Sequence, residues 1–383
     1  MTFELATLPA LPENVKDFFE IRGRAGTPFV LDLLNSAVQL RRNRLKLSEE
    51  EYAQKIPLPL QEGLEIWKLG LPNLPYGFFK YPQTFKVLGE LLREWSVLAS
   101  TKTLQALVLN CGPGMESVSV AIGLSQSALW EKGWQITVTA MDIFPTGLEV
   151  AKKGNFSLKD IQTIPKPTLK KYFVRKGLFY HLKNKMIPPI KYLLGDPFSQ
   201  SEKDSLEPCY GTFDLVFARD FSLFFSDFQA DLLLQVIHSL LKPGGLAITS
   251  PFELFSPQNS LSLEECLGVC YYRKHRLKIQ SKSLPFHPKR ALKSLAQMDM
   301  PITVGFPPSQ YSKELKMIQK IVAEDPLTAK ELVIGTLLRA QLENQVCWDA
   351  YSLLSAIEAI LGRPNYANSI LSAVGLLQNP KAS

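Results

Sequence analysis

A short loop after an apolar run is the segment best suited to contact a ligand. Residues 106–109 are apolar, and Asn110-Cys-Gly-Pro-Gly114 follow as a turn with two glycines. Such a run predicts a buried parallel strand, and glycine lets the loop backbone approach a ligand because it has no Cβ. Asp142 ends the next apolar run, where a carboxylate can accept hydrogen bonds from both hydroxyls of a ribose. Together the two features predict a nucleoside-binding site.

The loop departs from the dinucleotide pattern G-x-G-x-x-G, since the third residue after Gly114 is Ser117. A pyrophosphate site is therefore disfavoured, and the details favour a methyl-donor nucleoside. Alternatives remain open at both features. Gly112 and Gly114 also fit a plain structural turn, and Asp142 also fits an N-cap for a helix beginning at Pro145.

Three more polar residues stand at the ends of predicted elements. Glu116 begins the next helix, where it either meets the amino group of a methionine moiety or favours the helix dipole. Asp196, before Pro197, either lies near an adenine amino group or forms a turn. Arg219 follows the run 213–218 and by the switch-point rule faces the ligand crevice. It either holds a substrate carboxylate with two hydrogen bonds or pairs with a nearby acid.

The order of the apolar runs predicts an α/β fold. Strands are predicted at 104–110, 135–141, 213–218 and 244–250, and helices at 116–131, 145–153 and 227–241. This alternation predicts a Rossmann-like sheet whose strand ends carry the residues above. A segment rich in lysine and aromatic residues, about 154–195, interrupts the alternation and is interpreted as an inserted subdomain.

The flanking regions are predicted to be helical. Residues 1–98 are interpreted as an N-terminal helical domain, in which Ser48 begins a helix as its N-cap. The α/β domain spans 99–275, and 276–312 are rich in Pro, Lys and Ser and predict a linker. Residues 313–383 predict a helical tail, either a tetratricopeptide-like repeat or a plain helical appendage, because a single unit of the pattern is visible.

The composition indicates a folded cytoplasmic protein. A hydrophobic content of 46% supports a core. No apolar run long enough to span a bilayer and no signal-peptide pattern is visible, so we expect no membrane insertion. Five cysteines without a CxxC pair favour reduced thiols, and four scattered histidines disfavour a metal site. A net charge of +7 fits an acidic partner or a solvated surface, and no nucleic-acid-binding signature is present.

In their order and spacing the motifs resemble the CheR-type chemotaxis-receptor glutamate methyltransferases, which use S-adenosylmethionine. The similarity spans roughly Leu31 to Lys274. Its motifs are Arg41-Arg-Asn-Arg-Leu-Lys46, Phe78-Phe-Lys-Tyr81, Asn110-Cys-Gly-Pro-Gly-Met-Glu116, Met141-Asp-Ile143, Ala151-Lys-Lys-Gly-Asn-Phe156, Tyr172-Phe173, Ala218-Arg-Asp-Phe-Ser-Leu-Phe-Phe225, Leu241-Lys-Pro-Gly-Gly245 and Pro251-Phe-Glu253. Each motif alone is weak, but their shared order is specific.

The resemblance implies a class I S-adenosylmethionine-dependent methyltransferase that esterifies glutamate side chains of chemoreceptors or related signalling proteins. It implies that Arg219 orients the acceptor carboxylate and that Phe224 excludes water. It implies a cofactor site formed by Lys80, Cys111, Gly112, Gly114, Glu116, Asp142, Asp196 and Pro197. Four basic residues would attract an acidic receptor helix, or else form a solvated helix face: Arg41, Arg42, Arg44 and Lys46. The tail is a candidate docking site for another protein.

Several positions depart from the family pattern. Lys80 replaces an Arg, Met115 a Glu, Asp220 an Asn and Phe224 a Tyr, and residues 71–76 replace Thr-Thr-Asn-x-Thr. The glycine loop and Asp142 are retained, which favours cofactor binding, whereas the acceptor side has changed. Two alternatives therefore stay open, namely a methyltransferase with another protein or small-molecule acceptor and a non-catalytic CheR-like scaffold.

Overall fold

A seven-stranded sheet carries the residues predicted to bind a ligand. The computed structural model describes residues 28–48, 50–52, 76–197, 207–223, 227–257, 260–276 and 310–378. The strands are β1 (Thr103–Leu109), β2 (Gln135–Asp142), β3 (Asn155–Phe156), β4 (Phe173–Lys176), β5 (Phe179–Leu182), β6 (Ile190–Leu194), β7 (Phe213–Ala218), β8 (Leu241–Ile248), β9 (Leu261–Cys266) and β10 (Val269–Lys274).

Helices cover both faces of the sheet and extend beyond it at either end of the chain. They are α1 (Pro28–Leu45), α2 (Pro82–Val97), α3 (Met115–Ser125), α4 (Ala128–Glu131), α5 (Pro145–Lys153), α6 (Leu158–Ile161), α7 (Lys166–Tyr172), α8 (Asp227–Leu240), α9 (Ser312–Ile321), α10 (Pro326–Leu342), α11 (Trp348–Ile360) and α12 (Pro364–Gln378). None of the helices described is long and apolar enough to cross a membrane.

The strand order explains where the site lies. The large sheet runs β6-β2-β1-β7-β8-β10-β9, and β1 pairs in parallel with β2 on one side and β7 on the other. The chain order therefore reverses between β1 and β7, and the carboxyl ends of these strands form a crevice. The antiparallel pair β9 and β10 completes the far edge. The predicted α/β Rossmann-like fold is confirmed.

Several observed elements differ from the predicted ones. The strand β8 begins at Leu241, where the preceding helix was predicted to end, and β9 has no predicted counterpart. The helix predicted at 116–131 is interrupted after Ser125, so that α3 and α4 are separate. Within the segment predicted as an insertion, β3, β5 and β4 form a sheet of their own, but β6 pairs in parallel with β2. The strand 190–194 thus belongs to the large sheet, because its backbone pairs with the edge of β2.

Two hydrophobic clusters lie on opposite faces of the sheet, since successive residues of β1 point to opposite sides. Ala106 and Val108 belong to the cluster that α2 and α3 cover. Leu107 and Leu109 belong to the cluster that α8 covers, and buried residues of α9 to α12 belong to that same cluster. The helical tail therefore packs on the α/β domain. Residues 277–309, where the linker is predicted, lie outside the described residues.

The N-terminal helix α1 joins the same core through Ala37 and Val38, which are buried. After it, Ser48 and Glu51 form the reciprocal hydrogen bonds of a capping box: the Ser48 amide donates to the Glu51 carboxylate at 2.9 Å, and the Glu51 amide donates to the Ser48 Oγ at 3.1 Å. This is the helix start that the sequence predicts at Ser48.

Candidate functional site

The glycine loop bends sharply at the end of β1. Asn110, Gly112 and Gly114 have φ angles of 58°, 52° and 92°, a left-handed conformation that glycine adopts without steric cost. A Cβ on Gly112 would lie 2.2 Å from the Tyr76 ring, and one on Gly114 would lie 2.8 Å from the Ala151 Cβ. Both glycines are therefore required by packing. The close approach of the Tyr76 ring to Gly112 was not predicted from the sequence.

Asp142 fixes this loop from the neighbouring strand. The side chain is buried, and its carboxylate accepts hydrogen bonds from the backbone amides of Gly112 at 2.7 Å and Phe144 at 2.9 Å. The Phe144 bond stabilises the turn before α5. The N-cap of α5 is Phe144, without a side-chain cap, so the N-cap role weighed for Asp142 in the sequence is wrong. A carboxylate has about four lone-pair sites, so these hydrogen bonds are compatible with hydrogen bonding to a ribose.

The end of β6 closes the same side of the crevice. The Gly195 amide donates to the Asp142 backbone carbonyl at 3.1 Å, which places Asp196 and Pro197 directly after the neighbouring strand end. Both are half-buried. Cys111 is buried within the loop, and burial, together with the charges of Asp142 and Glu116, raises the pKa of its thiol well above the ordinary value. The thiol is therefore neutral at pH 7.

Arg219 lies across the crevice, at the end of β7, with 2% of its surface exposed. Its Nε donates to the Glu116 carboxylate at 2.6 Å, and its Nη1 donates to the Lys80 backbone carbonyl at 2.9 Å. Three rings surround the guanidinium, with centroids at 5.3 to 5.5 Å: Tyr81, Phe85 and Phe217. Its Nη2 is buried without a hydrogen-bond partner among the residues that the structure describes. The pairing of Arg219 with an acid, weighed in the sequence, is thus present with Glu116. The Nη2 nitrogen stays available to donate hydrogen bonds.

Lys80 and Asp220, two residues that differ from the family pattern, contact each other. The Lys80 ammonium forms an ion pair with the Asp220 carboxylate, which also accepts a hydrogen bond from the Tyr81 hydroxyl at 2.5 Å. Burial alone would raise the pKa of Asp220, but the Lys80 charge and the hydrogen bonds from Lys80, Ser250 and Tyr81 lower it below the ordinary value. The negative charge introduced at 220 is therefore balanced by Lys80.

Glu253 supports the turn that carries Asp220. Its carboxylate accepts hydrogen bonds from the amides of Asp220 at 2.9 Å, Ser250 at 3.1 Å and Ser222. Burial and the charge of Asp220 raise the pKa of Glu253 to about 7. Pro251-Phe-Glu253 is one of the motifs of the sequence, but no role for Glu253 was predicted from it. The feature that could have indicated this role is an acidic residue two positions after a proline at a strand end.

The structure brings most of the predicted site residues together. Most cofactor candidates lie at the ends of β1, β2 and β6, and Glu116 lies at the start of α3. Lys80 contacts the end of β7, because its backbone carbonyl accepts a hydrogen bond from Arg219. The basic candidates lie at the end of α1 and just after it, where Arg41 and Arg42 are half-buried and Arg44 and Lys46 are exposed. Phe224 lies outside the described residues, so its role stays a prediction.

Part of the chain that contains this site matches a known protein family. Residues 76–263 match the family described as CheR methyltransferase, SAM binding domain. The chain is 26% identical to chemotaxis protein methyltransferase 2 of Vibrio cholerae over 51% of this chain and 63% of that protein. It is 30% identical to the chemotaxis protein methyltransferase of Salmonella typhimurium over 47% of this chain and 60% of that protein.

A relative named for a different role also matches part of the chain. The probable biofilm formation methyltransferase WspC of Pseudomonas putida is 24% identical over 46% of this chain and 40% of that protein. The chain thus spans less than two thirds of the length of each of these relatives. The region that matches the family, residues 76–263, contains the glycine loop, Asp142 and Arg219.

Proposed function

We propose that the chain transfers the methyl group of S-adenosylmethionine to glutamate side chains of chemoreceptors or related signalling proteins. Residues 76–263 match the family described as CheR methyltransferase, SAM binding domain, which supports this cofactor. The observation that carries the proposal is the buried Arg219, whose Nη2 lacks a partner among the described residues. It lies at the switch point of the sheet, opposite the glycine loop and Asp142. Because Nε and Nη1 are occupied, the acceptor carboxylate would accept a charge-assisted hydrogen bond from Nη2 alone, and not the two-nitrogen fork weighed in the sequence.

The residues of the crevice fit the cofactor. Asp142 would hold the ribose hydroxyls at the end of β2, and the loop amides would face the nucleoside. Asp196 would lie near the adenine amino group. Glu116 binds Arg219 through one oxygen, so its second oxygen would accept from the amino group of the methionine moiety. Lys80 is paired with Asp220 and would contribute mainly through its backbone.

S-Adenosylmethionine supplies an electrophilic methyl group on a sulfonium. A glutamate carboxylate is already ionised at pH 7, so the chain needs no general base. Arg219 would orient the acceptor carboxylate through Nη2, and the rings of Tyr81, Phe85 and Phe217 would exclude water around it. Alignment and desolvation are therefore the work of the protein.

The proposed acceptor is an acidic helical segment of a receptor. Arg41, Arg42, Arg44 and Lys46 follow one another near the end of α1, and a cluster of cations attracts an acidic partner over a Debye length of about 8–10 Å at physiological salt. The net charge of +7 acts in the same direction. The helical tail offers a further surface on which another protein could dock.

Methyl transfer tests the proposal directly. The protein is incubated with S-adenosylmethionine carrying a labelled methyl group and with purified cytoplasmic fragments of chemoreceptors. Label that is bound to the receptor fragment and released by mild base indicates a glutamate ester and is the expected result. Label only on other acceptors, or no label while S-adenosylhomocysteine still binds in calorimetry, would overturn it. Arg219→Lys should transfer far less label, because Lys lacks the fork of Arg.

A further inference from the structure

Four side chains of α11 and α12 and the turn between these helices bind the backbone of the α/β domain. The Arg363 Nη2 donates to the Ser222 carbonyl at 3.1 Å. The Tyr351 hydroxyl donates to the Pro251 carbonyl, and the Tyr366 hydroxyl donates to the Phe252 carbonyl at 2.7 Å. The Ser369 Oγ accepts from the Ser256 amide at 2.7 Å. We call Tyr351, Arg363, Tyr366 and Ser369 the tail clamp.

The tail clamp contacts the two loops that form the acceptor side of the crevice. One loop, 219–223, contains Arg219 and Asp220, and the other, 249–256, contains Ser250 and Glu253. Ser222 connects the two, because its amide donates to Glu253 while its carbonyl accepts from Arg363. A displacement of Arg363 would therefore be transmitted to the turn that carries Arg219.

Burial and charge hold Arg363 in one orientation. The residue has 9% of its surface exposed, its Nη1 donates to the Glu358 carboxylate at 3.0 Å, and its guanidinium lies 4.7 Å from the centroid of the Tyr366 ring. Glu358 is almost fully buried and also pairs with Lys330 at 2.9 Å. A planar guanidinium that is fixed on two sides directs its remaining N–H with little freedom.

We propose that the tail clamp sets the geometry of the acceptor side, with Arg363 as a positioning residue for Arg219. This inference rests on the proposed function, since it takes the Arg219 side of the crevice as the place where the acceptor binds. The hydrogen bonds of the clamp end on Ser222 and on residues 251–256, whereas the cofactor side is held by Asp142 and the loop 110–114. The tail therefore controls acceptor use and leaves cofactor affinity unchanged.

Kinetics of Arg363→Ala test this role. Lys330 remains beside Glu358 in this variant, so the buried carboxylate keeps a cation. We expect kcat/KM for a chemoreceptor cytoplasmic fragment to fall at least tenfold, while the Kd of S-adenosylhomocysteine in calorimetry stays within twofold. Arg339→Ala is the matched control, because Arg339 pairs with Glu314 inside the tail and both side chains are well exposed. It should change neither value.

Two further variants separate positioning from folding. Tyr366→Phe removes one clamp hydroxyl and no charge, and it should lower kcat/KM in the same direction, by about threefold. Arg363→Lys keeps a cation that can reach Ser222, and it should recover part of the loss. If Arg363→Ala does not fold, Tyr366→Phe alone decides. A fall in cofactor affinity equal to the fall in kcat/KM, or no effect of either variant on kcat/KM, would overturn the proposal.

Hydrogen–deuterium exchange tests the clamp without any acceptor. In Arg363→Ala, amides in 219–223 and 249–256 should exchange at least tenfold faster, whereas those in 110–114 should not change. A wild-type protein that binds S-adenosylhomocysteine but methylates no receptor fragment would refute the proposed function, and this exchange pattern would still support the clamp. Unchanged exchange in both loops, or an equal increase throughout the domain, would refute the clamp.

Discussion

The two sides of the crevice are built in different ways. On the side proposed to bind the cofactor, called the cofactor side, Asp142 binds the amides of Gly112 and Phe144, so a single side chain holds backbone from two neighbouring strand ends. On the side proposed to bind the acceptor, called the acceptor side, charged side chains bind one another across long sequence separations, as Lys80 and Asp220 do over 140 residues. The cofactor side therefore depends on short motifs, and the acceptor side depends on a network.

This difference changes how the departures from the family pattern are understood. Taken singly, Lys80 loses a guanidinium and Asp220 adds a buried charge. In the folded chain the two form one ion pair, which Tyr81 and Ser250 complete by hydrogen bonds. Removing one member of a buried pair is costly, whereas exchanging both can be neutral. Substitutions on the acceptor side therefore have to be evaluated in pairs.

The largest effect is expected when the acceptor network loses its cation. Lys80→Met leaves the Asp220 carboxylate, whose side chain is 13% exposed, without an opposite charge. We expect the free energy of unfolding to fall by about 3 kcal/mol in urea titrations. Adding Asp220→Asn should restore most of the loss. The control is Arg93→Met, which removes an exposed ion pair with Glu90 and should lower the free energy of unfolding by about 0.5 kcal/mol or less. Similar losses in Lys80→Met and Arg93→Met would contradict a coupled network.

Asp142→Ala is expected to have the largest effect on the cofactor side. It should weaken binding of S-adenosylhomocysteine by about 1–3 kcal/mol, because charged hydrogen bonds are lost, and calorimetry measures this change. The control is Asp214→Ala, a buried carboxylate that binds Lys242 and the Gln105 amide away from the crevice. This control should lower stability but not affinity. Equal affinities of wild type and Asp142→Ala would show that the cofactor site is misassigned.

Gly112→Ala tests the contact between the loop and Tyr76. Its Cβ would meet the Tyr76 ring, whereas a Cβ on Gly133, which also has a positive φ of 74°, would meet nothing within 4 Å. Both variants carry the strain of a left-handed alanine, about 1 kcal/mol. Only Gly112→Ala should weaken binding of S-adenosylhomocysteine, by about tenfold or 1.4 kcal/mol. Equal affinity losses in the two variants would show that backbone strain, and not the Tyr76 contact, is responsible.

The smallest expected effect concerns Glu253 and pH. Because burial and Asp220 raise its pKa from 4.5 to about 7, the folded protein holds a proton that the unfolded chain releases at lower pH. Stability therefore falls as pH rises from about 5 to 7, as the proton that Glu253 holds in the folded protein is lost. Glu253→Gln cannot titrate, so its free energy of unfolding should rise relative to that of wild type as the pH increases from about 5 to 7. Parallel curves from urea titrations at several pH values would contradict the prediction.

The parts of the fold that the sequence predicted are those with local signals. The runs that form β1, β2 and β7 are apolar and end in turn residues, and the switch-point rule brings their ends together. The split between α3 and α4 was missed because Gln126 and Ser127 carry no strong helix-breaking signal. The pairing of β6 with the large sheet was not predicted. Its residues are exposed or half-buried, so they do not indicate which sheet the strand belongs to.

For the site, the sequence located the glycine loop, Asp142 and Arg219 at the correct strand ends, while the roles of Phe224 and the basic residues near the end of α1 stay predictions. It did not indicate that Glu116 binds Arg219 or that Glu253 supports Asp220. These contacts join residues that lie 103 and 33 positions apart in the sequence. Residue type alone does not reveal which opposite charge or amide each one meets.

Local patterns in the chain are sufficient to place β1, β2 and β7, the glycine turn after β1 and the acid that ends β2, because each depends on backbone conformation and nearby residues. The folded chain alone determines the pairing of Lys80 with Asp220, the single open donor of Arg219 and the contact of Arg363 with Ser222. The physical reason is that a buried charge is stable only beside a partner, and that partner is selected by the packing of distant segments.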